Sequence, residues 1–255
     1  MYKVFWFLVL FCGLSFSQSH SFFKSESQVP NITVNSTYQQ ALELDEQFFS
    51  YIKQNRPCDI LLSVPFFGNS NVDLYLEAFD VFTHDFQLLR STENGLVYDQ
   101  YQPDIQSYRI KGEDISGSIS FMKNFLIGVI KFNGNVYEIT HIEDNLYVLY
   151  DVNKSTVSTN FTCQTQANDI QFNTQNTPSS LGGGSECVEI AIEIDYYTYN
   201  QFNNNCYDAV EWSLALLAGV SDVYMSELND MVFLQAKYVN VWEVVDNYNN
   251  LGTCN

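Results

Sequence analysis

The chain has 255 residues, 46% of them hydrophobic, and a formal net charge of −19, with 11 Lys and Arg against 30 Asp and Glu. That length buries one sizeable core or two modest ones. The charge excludes nucleic acid as a partner, because phosphate binding needs a basic surface, and it repels an anionic membrane. Only Lys237 is basic after Lys154, while acidic residues continue. This reads as a solvated surface or as carboxylates gathered around calcium.

The first element is a secretory signal, expected over residues 1–17. Lys3 supplies the positive start, and Val4 to Leu14 is apolar apart from Cys12 and Gly13. Ser15-Phe16-Ser17 places small residues where a signal peptidase reads, so cleavage is expected between Ser17 and Gln18. The run is too short to span a bilayer comfortably, and no second run approaches it. The mature chain is therefore expected to be secreted and extracellular, without stable membrane insertion. Export allows disulfides. Cys58, Cys163, Cys187, Cys206 and Cys254 remain after cleavage, an odd number that leaves one thiol unpaired within the chain. Asn31-Ile-Thr, Asn35-Ser-Thr, Asn153-Lys-Ser and Asn160-Phe-Thr match the glycosylation sequon.

Residues 18–163 read as a β-rich domain. Ser36 or Thr37 is placed to cap a helix running to about Gln54, with Tyr38, Ala41, Leu42, Phe48, Phe49 and Ile52 on one stripe. Arg56-Pro57 ends it. Short strands come next, expected at Asp59–Pro65, Val72–Phe82, Ile105–Lys111, Ile115–Met122, Phe125–Phe132, Val136–His141 and Leu146–Tyr150. Turn residues separate them, and Asn133-Gly134 is the strongest hairpin signal. The spacing suits an antiparallel sandwich or a curled sheet with one N-terminal helix. Residues 164–186 are polar and Gly/Ser-rich, which reads as a linker. Beyond it the alternation Cys187 to Asp195 predicts a strand, Asn204 to Leu228 a long helix with a wide apolar face, and Met231 to Val245 a second strand. The fold class expected is α+β: a β-rich unit, then an incomplete α/β strand–helix–strand segment over 187–255. Standing alone, that segment would leave a sheet edge and Trp212, Leu216 and Val241 exposed.

Four stretches of the C-terminal segment carry a resemblance: Val188-Glu189-Ile190-Ala191-Ile192-Glu193-Ile194-Asp195, Val220-Ser221-Asp222-Val223-Tyr224, Leu228-Asn229-Asp230-Met231-Val232-Phe233-Leu234 and Val239-Asn240-Val241-Trp242. In that order they resemble the opening of an adamalysin/reprolysin-like zinc metalloprotease (metzincin) domain. Ile60 to Pro65, Leu74 to Phe79 and Pro103 to Tyr108 are similar to the pro-region of secreted bacterial members. The resemblance implies a secreted metalloendopeptidase precursor acting on protein or peptide substrates, with zinc as cofactor in the full-length relative.

The family's chemistry rests on H-E-x-x-H-x-x-G-x-x-H, in which three His bind zinc and the Glu activates water. This chain has only His20, His84 and His141, none followed by Glu, so it contains no catalytic residues of that type. As written it is expected to be a truncated or degenerate member without activity, with no complete zinc site. The resemblance places Glu189 where related domains contribute a calcium carboxylate, against the alternative of a strand carboxylate facing water. It also places Cys163 where a pro-region thiolate can hold zinc and keep the enzyme latent, against the alternative of a disulfide. Cys58, Cys187, Cys206 and Cys254 are the other disulfide candidates. A second reading is a non-enzymatic secreted β-rich protein that binds or inhibits a protease.

Overall fold

The computed structural model describes residues 20–25, 38–67, 70–155 and 186–246. The expected signal peptide, Cys163, Cys254, the sequons at Asn31, Asn35 and Asn160, and the expected linker up to its last residue lie outside these. In chain order the elements are β1 (His20–Ser21), β2 (Phe23–Ser25), β3 (Gln39–Leu44), α1 (Glu46–Asn55), β4 (Asp59–Phe66) and β5 (Ser70–Phe79). Then come β6 (Phe82–Thr92), β7 (Gly95–Asp99), β8 (Gln106–Lys111), β9 (Ile115–Phe121), β10 (Leu126–Phe132), β11 (Asn135–Glu143) and β12 (Leu146–Asp151). After a 3-10 turn at Val152–Lys154 come β13 (Glu186–Ile194), α2 (Tyr196–Gln201), α3 (Cys206–Glu227) and β14 (Val232–Trp242). The fold is α+β and rich in strands, as the sequence pattern predicts.

Ten strands form one sheet in the order β1-β4-β5-β8-β9-β10-β11-β12-β3-β2. Its two ends are the same piece of chain. β1 pairs with β4, β2 pairs with β3, and only Phe22 lies between β1 and β2. The stretch 20–25 therefore bridges both margins and closes the curled sheet into a barrel, which removes its edges. Every second residue points inward, as strand geometry requires. Ile60, Leu62, Val64 and Phe66 of β4 meet Leu74 and Leu76 of β5, Tyr108 and Ile110 of β8, and Ile119 and Phe121 of β9 in one buried cluster. The interior is filled with side chains. α1 lays Phe48, Phe49 and Ile52 over one end, with the Phe48 ring 5.2 Å from Phe22 and Phe49 6.0 Å from Phe121. Phe66, Phe67, Phe132 and Tyr137 close the other.

The helix expected from residue 37 begins nine residues later. Tyr38, Ala41 and Leu42 do fall at helical spacing, but residues 39–44 form β3, whose partners β12 and β2 take its backbone hydrogen bonds. The cap is Asp45, whose carboxylate accepts from the backbone N–H of Gln47 and Phe48. A barrel that must close satisfies those six residues better than one more helical turn.

Gly117 lies in the barrel wall with φ +133°. A Cβ there would lie 2.0 Å from the Val129 carbonyl oxygen of the neighbouring strand. Gly117→Ala is expected to cost about 2 kcal/mol through strain and a broken β9–β10 ladder. Urea unfolding checks it, and a midpoint equal to that of the parent would contradict the close approach.

The chain leaves the barrel after β5, builds the β6–β7 hairpin, and re-enters at β8. The hairpin belongs to a second sheet of order β13-β14-β6-β7, in which β13, β14 and β6 run parallel. Residues 83–92 and 95–99, which the sequence pattern does not mark as strands, belong to β6 and β7, and the expected turn at Glu93-Asn94-Gly95 joins them. The strand expected over Val72–Phe82 breaks at Asp80, where the chain crosses between sheets.

α3 is the middle layer. Its Ala209, Val210, Leu214, Leu217 and Ala218 bury among Leu234, Ala236, Val239 and Val241 of β14, Leu88 of β6 and Ile194 of β13. On its other side it rests on β9, β8 and β10 of the barrel wall. The outer face there is built from Ser107, Ser118 and Ser120, and the Ser107 and Ser120 hydroxyls bond at 2.8 Å. Small side chains let the helix approach closely. Each large apolar residue buried in this layer contributes roughly 1.5–3 kcal/mol. α2 ends at Gln201, and Asn203 and Asn204 take left-handed backbone before Asn205 caps α3 through Tyr207 N and Asp208 N. The single helix expected from Asn204 to Leu228 is α3, and the short α2 before it is an addition that the pattern does not mark. Val241 is fully buried here, in the cluster that α3 forms with β14 and β6. Among the described residues no helix is long and apolar enough to cross a membrane.

Candidate functional site

Two polar joints fix α3 between the sheets. Glu211 is 3% exposed, and its Oε1 accepts from the Tyr101 hydroxyl at 2.5 Å and the Asp104 backbone N–H at 3.1 Å. Its Oε2 accepts from the Lys123 N–H at 2.9 Å. Burial, and then the Glu211 hydrogen bond, push the Tyr101 phenol well above its usual range. One turn of α3 is thereby tied to two loops at one end of the barrel. Further along, Arg109 of β8 donates from Nε to Asp222 at 2.9 Å and from Nη1 to Asp230. Asp222 is 4% exposed. Burial raises its carboxyl above the ordinary range, against the opposing pull of Arg109.

The C-terminal ends of the parallel strands are where α/β sheets usually hold ligands. Arg90 occupies that place. It donates to both Glu243 oxygens, at 2.6 and 3.0 Å, and to Asp99 at 3.2 Å. The Tyr207 hydroxyl donates to the same Asp99 oxygen at 3.2 Å. The Glu243 hydrogen bond raises the guanidinium pKa further. Cys206 opens α3 beside this group, and burial pushes its thiol up to about 12. At neutral pH that thiol stays protonated and is no nucleophile. The cluster holds the sheet ends to α3.

The open feature lies on the other margin. β13 has no strand beside it other than β14 among the described residues. Ile190, Ile192 and Ile194 face α3, and between them and Trp212, Leu216, Leu217 and Val220 runs a groove of about 620 Å³. Leu216 and Val220 are 45% and 48% exposed. A groove of that volume is in the range that holds a ligand or a few side chains. On the opposite face of β13, Glu189 accepts from Lys237 at 2.7 Å, and Glu193 accepts from the Trp242 indole at 2.6 Å. Lys237 also pairs with Asp85 at 3.4 Å.

Glu189 thus stands exposed on the outer face, held by the one basic residue of the C-terminal segment. Cys187 is exposed, with its thiol 3.1 Å from the Gln235 amide oxygen, and burial followed by Glu189 raises its pKa. Cys58 is exposed, and Cys58, Cys187 and Cys206 are free thiols in the described structure. His84 is exposed on β6, and His141 sits at the β11–β12 hairpin, bonded to the Asp144 carbonyl at 2.9 Å. Among the described residues no three His, Cys, Asp or Glu side chains come together as a metal group. Glu211, Arg109 and Arg90 escape a pattern reading, although a lone Glu inside the apolar run Ala209-Val210-Glu211-Trp212 is a usable signal for a buried anchor.

No family model matches the chain, and no curated protein matches it.

Proposed function

We propose that the chain is a secreted precursor of the zinc metalloendopeptidase class, with residues 18–163 as its pro-region and 187–255 as the first part of a metalloprotease-like domain. The observation that carries this reading is the parallel β13–α2–α3–β14 crossover. That is the expected strand–helix–strand order. The barrel supports a pro-region role because its excursion, β6–β7, extends the same sheet at the opposite edge. Among the described residues no three His, Cys, Asp or Glu side chains gather as a metal group, and no step of peptide hydrolysis is assigned to this chain. Cys163 as a latency thiolate and Glu189 as a calcium ligand belong to the same reading.

The second reading, a secreted non-enzymatic protein that binds or inhibits a protease, is favoured by the burial of α3 between barrel and sheet. A shared middle layer makes the two parts one packed body. Reading the transcript past the codon for Asn255 separates the two. An in-frame H-E-x-x-H-x-x-G-x-x-H supports the precursor, and a stop codon directly after Asn255 overturns it in favour of the binding protein.

A further inference from the structure

The margin of the small sheet combines three properties that natural edge strands avoid having together. β13 is nine residues long and contains no proline. Its outer edge presents backbone N–H and C=O groups with no strand partner among the described residues. Beside that edge runs an apolar groove lined by Ile190, Ile192, Trp212, Leu216 and Val220. Edges are normally blunted by short length, by Pro, by Lys or by a covering element. β13 carries only Glu186, Glu189 and Glu193 as charges.

We infer that this edge is an acceptor for an extended segment of another polypeptide, in which large apolar residues alternate with Lys or Arg. Pairing with β13 would satisfy its open backbone groups. Strand alternation would then send every second side chain of the incoming segment into the groove, against Leu216 and Val220, and the others onto the outer face. There they meet the carboxylates of Glu189, paired with Lys237, and of Glu193, which accepts from the Trp242 indole. Opposite charges directly across a strand pair stabilise it, and like charges oppose it. The same rule disfavours a second copy of this chain, because two β13 edges would set glutamates near glutamates on molecules that each carry −19. The inference goes beyond the precursor reading, since it concerns a strand supplied in trans.

The test uses the full secreted chain and a fluorescent nine-residue peptide alternating Val or Ile with Lys, read by polarisation. A peptide with Glu in place of Lys and one N-methylated at alternate amides are the controls. Saturable binding of the basic peptide alone is expected, weakening with added salt. Leu216→Asp and Val220→Asp are expected to weaken it about tenfold each. Glu189→Lys is expected to weaken it on the order of several-fold. Both groove positions are half-exposed, and an unchanged melting curve shows that the variants stay folded. Equal binding of the N-methylated or the acidic peptide overturns the proposal, as does no binding of the basic one. Dimerisation abolished by Leu216→Asp in sedimentation would assign the edge to a second copy and overturn the choice of partner. Peptide binding is read on the protein and the precursor test on the transcript beyond Asn255, so failure of the one and failure of the other are separately visible.

Discussion

Replacing Glu211 with alanine is expected to lower the unfolding free energy by about 4 kcal/mol. The carboxylate is almost fully buried and serves three donors from the barrel side: the Tyr101 hydroxyl, the Asp104 N–H and the Lys123 N–H. Removing it strands two backbone donors in a part-buried joint, and each unsatisfied donor costs roughly 1–3 kcal/mol. It also releases the loop that carries Asp104, which Lys53 of α1 grips through its carbonyl at 2.5 Å and its carboxylate at 2.9 Å. For a chain of this length the melting temperature should fall by roughly 8–16 °C. Glu211→Gln keeps one acceptor oxygen and should recover part of the loss. Calorimetry of the three proteins decides the matter: an alanine variant within about 1 kcal/mol of the parent would mean that packing alone seats α3.

Arg109→Ala is expected to cost about 3–5 kcal/mol, because it leaves Asp222 buried without its cation. The pair joins β8 of the barrel to the last turns of α3, and Asp230 reinforces it from the following turn. Burial already raises the Asp222 carboxyl, so losing Arg109 removes the main force holding it ionised. The double variant Arg109→Met, Asp222→Leu removes both charges and should be more stable than Arg109→Ala alone. Urea titration of the two variants gives the comparison, and a double variant worse than the single one would show that the joint works by shape rather than by charge.

Elements with a strong local signal are legible in the sequence. The Asn133-Gly134 hairpin, the strands β4 and β8 to β12, the alternating β13 and the apolar α3 lie close to where pattern places them. Each owes its form to a period of two or of about 3.6 that its own residues repeat. β3 and the hairpin β6–β7 are different. Residues 39–44 suit a helical stripe as well as a strand, and pairing with β12 and β2 decides between them. Residues 83–91 carry Thr83, His84, Asp85, Gln87 and Arg90 among their apolar positions, so no period stands out. They become a strand because β14 offers them a parallel edge about 150 residues away in sequence. The joints at Glu211, Arg109 and Arg90 were hidden for the same reason, since each has a partner on a distant element.

By itself the sequence determined the strand-rich α+β class, the strong negative charge, the long apolar helix and the absence of an H-E-x-x-H motif. These come from composition and from local repetition, which need no knowledge of neighbours. Tertiary structure alone decided that the curled sheet closes through residues 20–25, that α3 lies between two sheets, and that β14 is covered by β6 while β13 has no second strand beside it among the described residues. Those outcomes depend on which backbone edges meet across long stretches of chain. A strand's hydrogen bonds point sideways out of its own sequence, so no local pattern records where they end.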